Sequence, residues 1–432
     1  MSAAAESRPL VHVVHCVDTE GPLEEPLEAT FDRLRKEMGV DLQPSIATLR
    51  ALQAGTLVLG GAESAVARFL APGRLAYLSS WNAVEEMVNA VTAPSFRREH
   101  ADPEGNPYTF SWFVIDVVGY ADNPRRKAVG WNAVWDNYTR FLSGCAANDS
   151  LGWHFHTVPV GRHALHYNPC WTNNDVHEQA LARRLIQRGW FPSMFRAGGM
   201  IERWDLSAWL EQFIPLDFSN RAVAGPGEGG PGVECDWRGA PMDWRPYHPH
   251  HDDYRRPGAM RRWMFRCIDV DTPDCALGRA DVEQAFATAA QDGHAVLAYT
   301  DHDRRDLRPD IDKALGHIRA VAAEHPDVRW RFANAHQAAR ATLGLNEAPA
   351  PRFSHRFDGK ILFIESDQTL FGPHPFLAVE EEGEVFYRDN PTIEGERRWA
   401  YRSNRWEKVR RIGVAGSNAS ANCGVHVIEV AR

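Results

Sequence analysis

The sequence predicts an α/β fold: a distorted (β/α)7-type barrel followed by a small C-terminal all-β domain. Three observations carry this. Apolar strand-like runs alternate with helical stretches from residue 10 to residue 343, the pattern of a parallel sheet or barrel whose strands are joined by crossover helices. About seven such strand-helix units follow one another, enough to close a barrel. Beyond the Pro-rich NEAPAPR at 346–352, short alternating runs such as KILFIE, FLAVEEEGEVFYRD and GVHVIEV contain no helical stretch, and that predicts β structure. The expected division is 1–345 for the barrel and 346–432 for the β domain.

The elements follow in order. LVHVVHCVD (10–18) predicts a first strand running into an acidic loop, and PSIATLRALQAG (44–55) a helix that stops at Gly. Residues 60–108 are less regular and read as an insertion, with ADPEGNP (101–107) a turn cluster. YTFSWFVIDVV (108–118) is a buried strand and 131–142 is helical. Strands are then predicted at 150–156, 193–197 and 214–219, with helices at 174–188 and 203–213. Residues 220–262 break the pattern with GPGEGGPG and PYHPHHDDYRRPG, a second insertion; loops of that length in a compact domain are usually functional or mobile. Strands at 264–270, 294–300 and 328–334 then alternate with helices at 279–292, 309–324 and 335–343.

Composition narrows the function. The chain has 432 residues, 44% of them hydrophobic and 24% charged, an ordinary globular composition. Net charge is −9 and the Lys and Arg residues are scattered, which argues against a surface that tracks nucleic-acid phosphates. The expected partner is a small molecule or saccharide. Seven cysteines occur without any C-x-x-C pair, so reduced packing thiols are expected rather than a cysteine zinc site. No run of eighteen apolar residues and no basic-then-apolar leader is found, so a cytoplasmic protein without a membrane segment is expected. Oligomeric state stays open, a homo-oligomer included.

In parallel α/β architectures the functional groups sit at the carboxyl ends of strands. The polar residues at those ends are Asp18 and Glu20, His154 and His156, Arg196, Asp217, and His302 with Asp303. In GWHFHTVP (152–159) the two histidines are two apart on a strand and so point the same way. Two neutral imidazoles and a carboxylate can hold a zinc-type ion with one position open to water, and the ion lowers that water's pKa toward neutrality. A second carboxylate can take the proton, a histidine can give one to the leaving group, and an arginine can fix the base through paired hydrogen bonds. Singly these signals are weak. A strand His-x-His is more often a solvated or packed pair, VDTEGP resembles common acidic turns, Arg196 alone reads as an ion pair, and His302 as a capping loop residue. The reading rests on all of them falling at strand ends of one chain.

Other histidines read more plainly. His12 and His15 lie inside the first strand, where packing or a structural hydrogen bond is expected; His163 and His166 read as loop surface; HPHHDD (248–253) reads as a loop that meets substrate or solvent.

The assembled residues resemble the polysaccharide deacetylase superfamily, the NodB-homology group of carbohydrate esterase family four. VDTEGP (17–22), HFHTVP (154–159), FRAGG (195–199), LDFS (216–219) and TDHD (300–303) stand in that family's order, and the likeness covers roughly 10–343. It implies hydrolysis of an N-acyl or O-acyl group, N-acetyl above all, from a sugar or related small molecule. It implies one divalent ion, zinc in the first place with cobalt, nickel, manganese or iron as alternatives. Glu20, His154 and His156 would be the ligands, Asp18 the general base, Arg196 its orienting partner and His302 the general acid. Two departures stand out: Thr19 separates acids that are usually adjacent in the family, and the histidines are at i and i+2 rather than i and i+4, as in members with an H-x-H-x-x-P form.

Two rival readings are an amidohydrolase-like enzyme acting on another C–N bond and a non-catalytic carbohydrate-binding barrel. Amidohydrolases carry H-x-H on the first strand, whereas here it follows an acidic first strand, and the full polar set speaks against an inactive barrel. The two aromatic-rich insertions are expected to wall the cleft, with Trp244 and Tyr247 as stacking groups and Asp217 contacting substrate.

Overall fold

All ten residues of β1 (Leu10–Thr19) are buried, as expected of a parallel strand covered on both faces. The computed structural model describes residues 8–145, 148–163, 170–223, 237–270 and 276–430. Around β1 stand β2 (Phe110–Val114), β3 (Ser150–Phe155), β4 (Met194–Ala197), β5 (Leu216–Asn220), β6 (Trp263–Asp269), β7 (His294–His302) and β8 (Arg329–Phe332). Strand β1 pairs with β7 from Leu10 to Asp18 and divides its other edge: Leu10–Val13 pair with β8, and His15–Thr19 pair with β2. The ring from β1 to β7 therefore closes on seven parallel strands. The run predicted at 328–334 is β8, which lies outside that ring beside the first half of β1.

Register assigns each strand residue to the interior or to the helix layer. Val14, Cys16, Phe113, Met194, Leu216, Phe218, Phe265, Cys267, Val296 and Ala298 pack together inside the barrel, and their neighbours of opposite parity, such as Val11, Val13 and Leu297, join the helix-facing core. Interior parity continues upward to Asp18, His154, Arg196, Asp269 and His302, because Asp18 pairs with His302 and His154 with Arg196. The polar layer is the carboxyl end of the apolar column.

The crossover from β1 to β2 carries five helices: α1 (Leu27–Met38), α2 (Ile46–Gln53), α3 (Glu63–Phe69), α4 (Trp81–Thr92) and α5 (Pro94–Glu99). Residues 60–108, expected to be irregular, are thus largely helical. The Ser80 hydroxyl caps α4 by accepting from Ala83 N, and Val84, Met87, Val88 and Val91 form the stripe that α4 presents to the barrel core. The remaining crossover helices are α6 (Ala133–Leu142), α7 (Val176–Arg188), α8 (Trp204–Leu210), α9 (Arg279–Asp292), α10 (Arg308–Glu324) and α11 (Ala335–Leu343).

After α11 come β9 (Phe353–Asp358), β10 (Ile361–Ser366), β11 (Phe376–Glu381), β12 (Val385–Asp389), β13 (Thr392–Gly395), β14 (Arg398–Arg402), β15 (Val409–Ser417) and β16 (Cys423–Glu429). They form two four-stranded antiparallel sheets, β13-β14-β10-β9 and β12-β11-β15-β16. Leu362, Ile364, Leu377, Val379, Trp399, Ile412 and Val414 fill the space between them. The second sheet is seated on α7: a Cβ on Gly413 would lie 2.8 Å from Leu185 Cγ, so only glycine admits that approach. Of the described cysteines, Cys16, Cys145, Cys267 and Cys423 are free thiols; Cys235, Cys275 and His166 lie outside the described residues. No helix among the described residues is long and apolar enough to cross a membrane.

His177 on α7 is buried among Phe155, Trp171 and Trp209, its ring centroid 5.0 Å from that of Trp171. Burial pushes its pKa down to about 3. The folded state therefore keeps it neutral where the unfolded chain, with an ordinary pKa near 6.5, takes up a proton; stability from this group is full above about pH 6.5 and is lost as pH falls toward 3. His177→Phe should gain about 2 kcal/mol relative to wild type on going from pH 8 to pH 5, read by denaturant unfolding at both pH values. A difference that does not change with pH would contradict a neutral buried His177.

Candidate active site

Period-two spacing builds the site. Asp18 and Glu20 flank Thr19, whose hydroxyl turns away and donates to Phe113 O at 3.0 Å. His154 and His156 flank Phe155, which packs in the outer aromatic core. Both D-x-E and H-x-H thus send two polar side chains inward and one residue out. The four inward groups, with Arg196 and His302, line a cavity of about 260 Å³ at the carboxyl end of the barrel.

Arg196 Nε donates to both carboxylate oxygens of Asp18 at 2.9 Å, and its Nη1 donates to Phe218 O at 3.0 Å. Burial raises the Asp18 pKa, against the opposing pull of Arg196 and His154. Asp18 is the more basic of the two acids.

Glu20 is held differently. Lys127 Nζ at 2.8 Å and Arg304 Nη1 at 3.0 Å face its Oε2, leaving Oε1 toward His156 Nε2 at 3.5 Å. Burial alone would raise its pKa, but Lys127 and Arg304 outweigh burial and hold it well below the ordinary value. Asp303 fixes the main chain beneath it: Glu20 N and Gly21 N donate to the Asp303 carboxylate at 2.7 and 2.9 Å, and Tyr138 Oη donates to it at 2.7 Å.

His154 Nδ1 lies 3.0 Å from Arg196 O, an atom that can only accept, so Nδ1 carries the proton and Nε2 keeps its lone pair. His156 Nε2 is 3.0 Å from His154 Nε2. Burial lowers the pKa of both and brings His156 to about 3, so both imidazoles are neutral at physiological pH. Glu20, His154 and His156 each offer a ligand atom within 4.8 Å of the others, and this buried carboxylate and imidazole set suits a zinc-type ion. Among the described residues no other group of three comes so close. His302, its side chain 18% exposed, places Nε2 at 3.8 Å from Asp18 Oδ2 and 3.9 Å from Glu20 Oε1. Burial and the charge of Arg304 hold its pKa well below 6.5.

Six of the nine expected site residues meet in one cavity; Asp217, Trp244 and Tyr247 do not line it. Asp217 pairs in register with Phe195 and so shares the outward parity; it is buried in an ion pair with Arg262 at 2.5 Å, which also binds Glu202 at 2.9 Å. Trp244 is buried under Arg266 at 4.2 Å and donates from Nε1 to Asp281 O at 2.8 Å. Tyr247 is buried against Met264 with its hydroxyl donating to Tyr254 O at 2.9 Å. These three contribute packing and buried polar links. Of the two insertions, the first reaches the cavity through Phe69, Arg74 and Tyr77, and the second through Arg221.

Residues not expected from the sequence also surround the site. Asp269 ends β6 at interior parity and pairs with Arg221 at 2.7 Å; its place at a strand end, two past Cys267, was the available signal. Lys127 and Arg304 come from loops and had none. His12 and His15 bond within the framework, His12 to His294 at 3.4 Å and His15 to Asp301 at 2.9 Å.

No family model matches the chain, and no curated protein matches it. Similar solved structures include one from Parabacteroides distasonis that carries the description "putative glycoside hydrolase/deacetylase" (10% identity over 89% of this chain and 85% of that one, TM-score 0.37). Others are an α-L-fucosidase from Paenibacillus thiaminolyticus (8% identity, 96% and 98%, TM-score 0.27) and a carbohydrate acetylesterase from Xanthomonas citri (11% identity, 96% and 77%, TM-score 0.16). At these scores the site is read from its own residues.

Gly198 makes the histidine pair possible. A Cβ there would stand 2.3 Å from His156 Cδ2 and 2.4 Å from Phe155 O, so Gly198→Ala must displace the His156 ring. We expect affinity for a divalent ion, measured by chelator competition, to fall at least about tenfold, the scale seen when a supporting contact of a metal ligand is lost, with an unchanged circular dichroism spectrum. Unaltered affinity would show that His156 does not need this position to bind.

Proposed function

We propose that this protein is a metal-dependent hydrolase that removes an N-acyl group, foremost N-acetyl, from a sugar or related small molecule. The observation that carries the reading is the pair of buried neutral imidazoles, Nε2 to Nε2 3.0 Å, beside an ionised Glu20 and opposite an Asp18 clamped by Arg196. The motif order shared with polysaccharide deacetylases supports it.

Glu20, His154 and His156 would hold the ion, zinc first. A divalent ion supplies Lewis acidity there, lowering the pKa of water and polarising an acyl carbonyl. The remaining work belongs to the chain. Asp18, made more basic by burial, accepts the proton of the attacking water. Arg196 holds both its oxygens and keeps the carboxylate aimed into the cavity. His302 is neutral at rest and 3.8 Å from Asp18 Oδ2, so it takes up that proton during the reaction and passes it to the leaving nitrogen. The acyl C–N bond breaks, water oxygen joins the acyl carbon, and a free amine and a carboxylic acid leave.

His154→Ala and His156→Ala should each lose the ion by elemental analysis, whereas Asp18→Asn should keep about one ion per chain and lose turnover by roughly 10²- to 10⁴-fold, scored as acetate release from acetylated sugars and small amides. Loss of the ion from Asp18→Asn with retention in Glu20→Gln would exchange the two acids. Wild-type protein that binds neither zinc nor cobalt would overturn the reading.

A further inference from the structure

The cavity is far more basic than the chain around it. Seven arginines and four carboxylates line it, in a protein of net charge −9. Most of these guanidinium groups have an internal partner: Arg196 has Asp18, Arg304 has Glu20, Arg221 has Asp269, and Arg33 and Arg125 share Glu25 at 2.9 and 2.5 Å. Arg305 makes no ion pair among the described residues. Burial and the like charges of Arg304 and Arg74 depress its pKa, outweighing the opposite charge of Asp310. The wall is fixed rather than loose, since Leu78 N donates to Arg304 O at 2.8 Å and ties the Arg74–Tyr77 segment to the segment after β7.

We propose that the substrate carries a phosphoryl group docked on Arg305, with Arg74 and Arg304 alongside, while its acyl group reaches Asp18 and His302 deeper in the cavity. Adjacent guanidinium groups bind phosphate oxygens through paired, charge-assisted hydrogen bonds and match a dianion better than a single carboxylate does. A docked anion would also supply the ion pair that Arg305 lacks. A sugar phosphate and a sugar linked to a nucleoside diphosphate share this chemistry. The inference rests on the proposed hydrolase for the reacting end of the substrate, but the anion site is measurable by binding alone.

The test is calorimetric titration of the full-length Asp18→Asn protein with N-acetylglucosamine, its 6-phosphate, its uridine-diphosphate conjugate and an N-acetylated uronic acid. The same titrations are repeated in His154→Ala, where an ion at the histidines cannot attract the anion. At least one phosphorylated compound should bind about tenfold or more tightly than the neutral sugar in both proteins, with a gap that narrows as salt rises; which one does so separates the two sources. Adding Arg305→Gln should remove that gap without weakening the neutral sugar, Arg305→Lys should keep part of it, and Arg74→Gln should reduce it. Equal binding of neutral and phosphorylated sugars, absence of binding by any phosphorylated compound, an unchanged gap in Arg305→Gln, or a uronic acid as tight as the phosphates would each overturn the proposal. Wild-type protein that discriminates by phosphate yet releases no acyl group would refute the hydrolase and leave the anion site standing.

Discussion

Arg196 and Asp18 meet inside a closed barrel, where an unpaired charge of either sign would be severely destabilising. Their bonds at 2.9 Å, and the further bond from Arg196 to Phe218 O, tie β1, β4 and β5 together across the barrel at the level where its apolar column ends. The same Arg196 contributes its carbonyl to His154 Nδ1 and so sets the tautomer that frees Nε2. One arginine thereby fixes Asp18 with its side chain and His154 with its backbone. Replacing its side chain would release Asp18 while leaving the carbonyl that holds His154.

A second charged layer sits around Glu20. Lys127 and Arg304 keep it ionised in a buried position, while Asp303, its own pKa raised to about 7 by burial, holds the Glu20 and Gly21 amides. Gly21 adopts a positive φ of 73°, and a side chain there would meet Trp81 at 2.6 Å, so the turn after the acids is fixed by backbone as well as charge. The two acids consequently differ in character. Asp18 has a raised pKa and a single clamp, suited to moving a proton; Glu20 is a permanent anion with one oxygen turned toward the histidines.

Much of this was legible because a parallel barrel writes its interior into the sequence with period two. The alternation of strands and helices predicted the barrel, and strand ends named six residues that meet in the cavity. The same period explains what failed. Asp217 lies second in β5, three residues short of its carboxyl end at Asn220, and one residue off from Leu216 and Phe218, which do face inward; both its level and its parity keep it out of the cavity. Composition alone points to Trp244 and Tyr247 as cavity groups, but burial of their large aromatic rings outweighs a role in the cavity. The helices within 60–108 are short and set apart by turns such as Ala71–Arg74 with its Pro72 and Gly73, so no long apolar stripe marks the segment, and tertiary packing against the barrel stabilises them. Lys127 and Arg304 reach Glu20 from loops, where no periodicity marks a side chain's direction.

The arrangement of D-x-E and H-x-H around one point is most directly tested by a crystal of zinc-loaded protein and an anomalous difference map at the zinc edge. A single peak bonded to His154 Nε2, His156 Nε2 and an oxygen of Glu20, at roughly 2.0–2.2 Å from each, with Asp18 still on Arg196, is the expected result. A peak held by Asp18 and not by Glu20, or no peak at the histidines while zinc sits elsewhere on the chain, would contradict it.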